Sequence, residues 1–307
     1  MSRGLRSCPA GALAARLGFN TACLPNRTLG EAARLGAGLG LRGIELLAFE
    51  GYRHSRGDLA GLFFDHLTAA QRALLEHIVA DFEHVSVHAP FWDTLPFSPN
   101  PGMRAQSRRQ LRATIQVSAA LGASTITTHL IPRVGYELGE YRAQVIDFYR
   151  ELGDLAGEAG VTVTIETGCP QGIEQFAALI HDIDHMAVGA NVDVGHLRGL
   201  LSPEQRRGAD MAALYNDLLA AHIASLGAKV MHLHLHDVRA DDLRDHRECG
   251  TGIIDYPRML RMLLEMGYRG LANFELEEPD DVAALGRSRA VLVDALRAAT
   301  LRESAQC

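Results

Sequence analysis

The chain has 307 residues, 47% hydrophobic and 22% charged, which fits one folded domain with a full core. Its 30 basic and 37 acidic residues give a net charge of −7, which disfavours nucleic acid as a partner because DNA binders usually carry a basic face. No apolar run approaches the roughly 20 residues that span a bilayer, and no signal peptide is evident. The five scattered cysteines form no CxxC pair, so we expect a cytoplasmic protein without disulfides.

Short β-rich runs alternate with longer helical patterns, which is typical of βα units around a parallel sheet. Strands are predicted at Leu17–Thr21, Gly43–Leu47, His84–His88, Ser124–His129, Val161–Glu166, Ala187–Asp193, Lys229–His236 and Gly270–Glu275. Helices are predicted at Thr28–Leu39, Met103–Leu121, Glu137–Ala159, Gln171–Asp184, Pro203–Leu226, Tyr256–Met266 and Asp280–Leu301. The first of these helices begins with a capping box made by Thr28 and Glu31. Eight such units predict a single-domain (β/α)8 TIM barrel over residues 17–307, after an N-terminal extension of residues 1–16.

Polar side chains recur at the ends of these hydrophobic runs. In the fifth strand Thr162, Thr164 and Glu166 share one face, and the parity of the strand turns that face towards the barrel lumen. Carboxylates and imidazoles gathered there would be buried without partners, so a cation is the simplest compensation, and mixed ligands of this kind suit zinc, manganese, cobalt or iron. The eight candidates are His88, His129, Glu166, Asp193, His196, His234, His246 and Glu275.

The seventh strand carries three histidines on one face. With about 3.3 Å of rise per residue, His232 and His236 lie about 7 Å on either side of His234, too far for one ion to bind all three. We expect His232 to be hydrogen-bonded in the lumen. His236 and Asp237 enter the following loop, where substrate contact and an ordinary turn role remain equally open.

Two further histidines have ordinary alternatives. His196 follows Asp193 by three residues and is placed to reach the same pocket, although a D-x-x-H pattern can also cap a helix. His246 precedes Gly250 and Gly252, which would let backbone amides approach an anion, but the sequence alone favours a solvated loop histidine.

These segments resemble the xylose-isomerase-like TIM-barrel superfamily, which holds sugar and sugar-phosphate isomerases and epimerases together with endonuclease IV. The resemblance covers nearly the whole chain and includes the glycine loop that follows the seventh strand. It rests on Gly43-Ile44-Glu45-Leu46, Val87-His88-Ala89-Pro90-Phe91, Thr128-His129, Ile165-Glu166, Asp193-Val194-Gly195-His196, His234-Leu235-His236-Asp237, His246 before Gly250-Thr251-Gly252, and Phe274-Glu275-Leu276.

The resemblance implies one catalytic divalent ion, zinc, manganese or cobalt, and a metal-dependent isomerase or epimerase of carbohydrate metabolism. The ion would hold oxygens of a sugar or sugar phosphate, while Glu166 and Glu275 move a proton beside the carbonyl as base and acid. The four ligands implied in this way are Glu166, Asp193, His234 and Glu275.

Substrate contacts are implied for residues around this ion. His196, with Arg247 or His246, would hold hydroxyls or a phosphate. Trp92, next to Phe91 after the third strand, would close an apolar wall, although ordinary loop packing explains Trp92 equally well. Glu45 likewise has an ordinary explanation, as part of a structural salt bridge.

Two alternatives stay open. In the endonuclease IV branch, His88, His129, His196 and His246 match ligands of further zinc ions, and the enzyme would cut abasic DNA. That branch expects an Asp-x-His pattern, but Arg244 stands two residues before His246, which puts a third zinc site in doubt. The second alternative is a catalytically inactive sugar-binding barrel. The sequence leaves open the identity of the sugar, its phosphorylation and assembly into a homo-oligomer.

Overall fold

The computed structural model describes residues 9–54 and 56–303. Eight parallel strands close into one barrel, which confirms the predicted (β/α)8 TIM barrel. Each strand pairs with its neighbours in the sequence, and the first closes on the last. The strands are β1 (Leu17–Asn20), β2 (Gly43–Leu47), β3 (His84–His88), β4 (Thr125–Thr128), β5 (Thr162–Glu166), β6 (Val188–Asp193), β7 (Val230–Leu235) and β8 (Leu271–Phe274).

Helices surround this barrel. They are α1 (Pro9–Ala14), α2 (Leu29–Gly38), α3 (Ala69–Val79), α4 (Pro101–Ala120), α5 (Leu138–Glu158), α6 (Ile173–Ile183), α7 (Met211–Leu226), α8 (Tyr256–Glu265) and α9 (Asp281–Glu303). The predicted capping box of α2 is confirmed, since the Thr28 hydroxyl accepts from the amide of Glu31 at 3.3 Å and the Glu31 carboxylate accepts from the amide of Thr28 at 2.9 Å.

Helices α3 and α7 differ from the prediction. Helix α3 was not predicted, although Thr68 and Gln71 form a capping box at its start. Helix α7 begins at Met211 and not at Pro203, because the chain first makes a 3-10 turn over Gln205–Arg207 and then extends at Gly208. That extended residue interrupts the helical hydrogen bonding.

Part of the predicted N-terminal extension is folded. Helix α1 packs against α9 and buries Leu13 in the main core, while residues 1–8 lie outside the described residues. In the same described part of the chain, no helix is long and apolar enough to cross a membrane. Of the five cysteines, Cys23, Cys169 and Cys249 are described and all three are free thiols.

Strand parity divides the barrel into two environments. Val163 and Ile165 of β5 are fully buried between the sheet and the helices, whereas Thr164 and Glu166 face the interior. A register shift between Ala190 and Asn191 of β6 brings Asp193 opposite His234 of β7. Paired residues of parallel strands face the same side, so the side chains of Asp193 and His234 share the lumen face.

Candidate metal centre

Four side chains from β5 to the end of β8 meet at the carboxyl rim of the barrel. Each offers one ligand atom, and these atoms lie within 4.8 Å of one another; the residues are Glu166, Asp193, His234 and Glu275. We call them the central group. The Nδ1 atom of His234 lies 2.8 Å from Glu275, 3.3 Å from Glu166 and 3.9 Å from Asp193, measured to the nearest carboxylate oxygen. The four residues implied as ligands are therefore brought together, and their role as ligands remains a prediction.

Two atoms of the central group fit a cation. Oε2 of Glu166 and Nδ1 of His234 are buried, and among the described residues neither has a partner in hydrogen-bonding geometry. Buried charged atoms without such partners are usually neutralised by an opposite charge or by a metal. Three carboxylates and one imidazole form a mixed oxygen and nitrogen donor set, which suits a divalent transition metal. The residues present therefore fit a bound divalent ion.

The pKa values of the central group also fit a bound cation. Burial raises the pKa of Glu166, but the charges of His129 and His234 outweigh burial and hold this pKa well below its usual value. Burial lowers the pKa of His234, yet the surrounding glutamates raise it well above 6.5. The carboxylates are thus neutralised by protons on the imidazoles, which a bound metal ion would displace.

Two further groups share residues with the central group. His88 and His129 lie beside Glu166, with their Nε2 atoms 3.5 Å and 3.2 Å from its Oε2. His196 and His246 form the other group with Asp193. Burial lowers the pKa of His246, but the hydrogen bond to Asp245 and nearby carboxylates raise it to about 9. All four additional candidate histidines therefore lie around the central group.

His236, which the sequence left unassigned, holds Asp193 in place. Its Nδ1 atom accepts the amide hydrogen of His246 at 2.9 Å, so Nε2 carries the proton and donates to Asp193 Oδ1 at 2.9 Å. The same carboxylate oxygen accepts the amides of Gly195 and His196 at 2.8 Å and 3.1 Å. Asp193 is therefore held by backbone amides of the loop after β6 and by a side chain that follows the end of β7.

A cavity of about 220 Å³ lies above the central group. Glu166 and Glu275 line it with carboxylates, and the rings of Phe49, Phe91 and Trp92 form an apolar wall. The ring centroids of Phe91 and Trp92 are 4.6 Å apart, and 45% of Trp92 is exposed at the mouth. A cavity below the roughly 300–1,000 Å³ of drug-sized sites suits a small ligand with polar and apolar faces.

Comparison with known proteins then identifies the family. Residues 33–297 match the family described as "Xylose isomerase-like TIM barrel". The chain belongs to this family. A relative of this xylose isomerase-like barrel is the uncharacterized protein MJ1311 of Methanocaldococcus jannaschii, which is 25% identical over 204 residues. That match covers 62% of this chain and 64% of the relative.

Several solved structures of similar fold are described as epimerases or epimerase-like. A D-tagatose 3-epimerase-like protein has a TM-score of 0.71 and 20% identity, with 94% of this chain and 99% of that chain covered. L-ribulose 3-epimerase has a TM-score of 0.70 and 16% identity, with 94% and 97% covered. A xylose isomerase-like TIM barrel protein from Mycobacterium smegmatis in complex with magnesium has a TM-score of 0.68 and 17% identity, with 94% and 98% covered. These likenesses show the fold.

Arg247 does not line the cavity in this xylose isomerase-like barrel. Its Nη1 atom is 3.2 Å from Glu278, and its Nε atom donates to the backbone carbonyl of Asp245 at 2.9 Å. These contacts hold the glycine loop against the segment after β8, whereas Nη2 is buried without a hydrogen-bond partner among the described residues. His246 of the same loop does line the cavity.

Proposed function

We propose that this chain is a divalent-metal-dependent isomerase or epimerase that moves a proton on the carbon next to a sugar carbonyl. The observation that carries this proposal is the placement of Glu166 and Glu275, which both belong to the central group and both line the cavity. Such a pair can act as base and acid on a molecule held between them. Further support comes from the epimerase and epimerase-like proteins among the similar solved structures.

The residues divide the chemistry between them. Glu166, Asp193, His234 and Glu275 would hold the ion, which supplies a positive charge that holds substrate oxygens and acidifies the adjacent C–H. Glu166, which is held ionised, removes the proton from carbon. Glu275, with 18% of its side chain exposed, takes up a proton from water and returns it to carbon. One proton leaves and one returns, so the reaction needs no redox partner.

The remaining surface of the cavity favours a sugar without phosphate. Among the described residues that line the cavity there is no lysine or arginine, and Glu277 adds a further carboxylate. A phosphate would therefore lack the arginine or lysine partners that usually bind it. The imidazoles of His196 and His246 are placed to bind hydroxyl groups, and Trp92 covers the apolar face of the sugar.

A second candidate is a phosphodiesterase with several zinc ions. The two additional groups favour it, because each joins two histidines to a carboxylate of the central group. Adjacent ions could activate water and stabilise both oxygens of a displaced phosphate. Both groups, however, draw their carboxylate from the central group, and the histidines that they add can equally serve substrate hydroxyls. We therefore place this candidate second.

Metal content and turnover, measured together, test the two candidates. Protein stripped with a chelator and reloaded with zinc, manganese or cobalt is analysed for ions per chain. It is then assayed on free and phosphorylated ketoses and on an abasic oligonucleotide. We expect one ion per chain and epimerisation of a free ketose. Three zinc ions with cleavage of the oligonucleotide would overturn the proposal, and bound sugar without metal or turnover would indicate an inactive sugar-binding barrel.

A further inference from the structure

A carboxylate lies beneath the central group, deep in the barrel. Glu45 of β2 is fully buried and accepts hydrogen bonds from four side chains. Its Oε2 atom lies 2.6 Å from Asn273 Nδ2, 3.0 Å from His232 Nε2, 3.3 Å from Ser86 Oγ and 3.3 Å from His234 Nε2. A buried carboxylate can be accommodated when donors saturate its lone pairs in this way. This network confirms that His232 is a hydrogen-bonded lumen residue.

One of the four donors also belongs to the central group. Nε2 of His234 faces both oxygens of Glu45 at 3.3 Å, while Nδ1 on the other side of the ring faces Glu275 and Glu166. A neutral imidazole has one N–H group and one nitrogen with a lone pair. The hydrogen-bond acceptor of the N–H group therefore determines which nitrogen is left to bind a metal. Glu45 can only accept a hydrogen bond, so Nε2 keeps its proton when an ion held by the carboxylates on the other side of the ring displaces the proton of Nδ1.

We propose that Glu45 is a positioning residue that holds the proton of His234 on Nε2 and so makes Nδ1 the metal-binding atom. This inference rests on the metal centre of the proposed function. Ser86, His232 and Asn273 fix the carboxylate in turn, because each donates to it from a different strand. The ring of His234 is thereby oriented before any ion arrives.

The same side chains suggest another reading, in which Glu45, His232 and His234 themselves hold an ion. His234 would then lose the protons of both nitrogens to serve this ion and the one in the central group. Asn273 donates to Glu45 at 2.6 Å, which satisfies the carboxylate without an ion. The hydrogen-bonded arrangement therefore fits the contacts better.

The state of the His234 ring can be measured without any mutation. Wild-type protein labelled with 15N at histidine and loaded with zinc is observed by NMR. We expect a slowly exchanging proton on Nε2 of His234 and the shift of a metal-bound nitrogen for Nδ1. A proton on Nδ1, or no proton on either nitrogen, would overturn the proposal.

Three variants test the same point through metal affinity. Calorimetric titration of stripped protein with zinc should give binding about 10- to 100-fold weaker for Glu45→Gln, the usual loss when such a partner is removed. Glu45→Asp keeps the charge but shortens the side chain, and it should lose affinity to a similar extent. Glu76→Gln on the exposed surface of α3 is the matched control, because it makes the same Glu-to-Gln change outside the network around Glu45, and it should bind within about 3-fold of wild type.

The outcomes separate this inference from the metal centre itself. Wild-type affinity in folded Glu45→Gln overturns the positioning role and leaves the metal centre intact. Wild-type affinity in Glu45→Asp shows that only the charge matters, which also overturns it. If wild-type protein binds no zinc, the metal centre fails and the inference fails with it. Where a variant at Glu45 does not fold, the NMR measurement on the wild type decides.

Discussion

His129 and Glu166 face each other at the edge of the cavity, with Nε2 of the histidine 3.2 Å from Oε2 of the glutamate. The same oxygen is 3.3 Å from Nδ1 of His234, so a single carboxylate joins the central group to the histidine pair above it. A proton or an ion can occupy the gap between His129 and Glu166. Which of the two lies there decides between one metal ion and several.

Replacement of His129 by alanine tests the number of ions. If His129 binds only a proton or a substrate hydroxyl, His129→Ala keeps the wild-type number of ions per chain, and its apparent KM rises. Elemental analysis of the reloaded protein measures this, with His77→Gln on the exposed face of α3 as the control. Loss of one ion per chain would instead support the phosphodiesterase candidate.

The two glutamates should be indispensable for turnover. Glu166→Gln and Glu275→Gln keep the shape of each side chain but remove the group that carries the proton, so kcat should fall by about 100-fold or more. Thermal unfolding of the stripped proteins should stay close to wild type, while Glu76→Gln on the surface of α3 should change neither property. Wild-type kcat in either active-site variant would refute its role in proton transfer.

The aromatic wall should contribute to substrate binding. Trp92 packs against Phe91 and Tyr52, with ring centroids 4.6 Å and 4.7 Å apart. Its loss in Trp92→Ala should raise KM by about 3- to 10-fold, because an aromatic contact contributes about 0.5–1.5 kcal/mol. Trp92→Phe should restore most of the affinity. If KM is unchanged in Trp92→Ala, this side chain serves loop packing alone.

Acid should destabilise the protein through His222. This histidine is buried beside Phe176, and burial lowers its pKa from 6.5 to about 4. Between these two values the unfolded chain binds a proton that the folded chain does not. The free energy of unfolding is therefore unaffected by His222 above pH 6.5. Below pH 6.5 it decreases as the pH falls, by up to about 1.4 kcal/mol per pH unit.

Urea unfolding at several pH values measures this effect. Between pH 7 and pH 5 the wild type should lose about 2 kcal/mol more than His222→Gln, whereas above pH 7 the two should follow parallel curves. The exposed variant His77→Gln should retain the wild-type dependence. Equal pH dependence in wild type and His222→Gln would show that this ring titrates normally in the folded state.

The sequence predicted the barrel well because its strands have strong period-two patterns. In β5 the alternation of Val163 and Ile165 with Thr164 and Glu166 fixes both the strand and its inward face. Helix α3 was missed although a capping box marks its start at Thr68. The late start of α7 was also missed, since a proline such as Pro203 is equally suited to a turn and to the first turn of a helix.

The central group could be foreseen because parallel strands end at one rim, which brings inward side chains at those ends together. The residues that support it could not. His236 reaches Asp193 only because the chain returns after the loop and places the amide of His246 against the ring. Glu45 meets His234 across the lumen, from a strand that is remote in sequence, and no local pattern encodes that distance. Such contacts depend on closure of the barrel and on the register shift between β6 and β7.

Trp92 is the one tryptophan in the sequence, and it stands half-exposed at the mouth of the cavity beside Phe91. Its fluorescence is therefore a single optical signal that originates a few ångströms from the place where a ligand would enter. Occupancy of the cavity can be followed through this emission in the unlabelled chain, in real time and without any turnover.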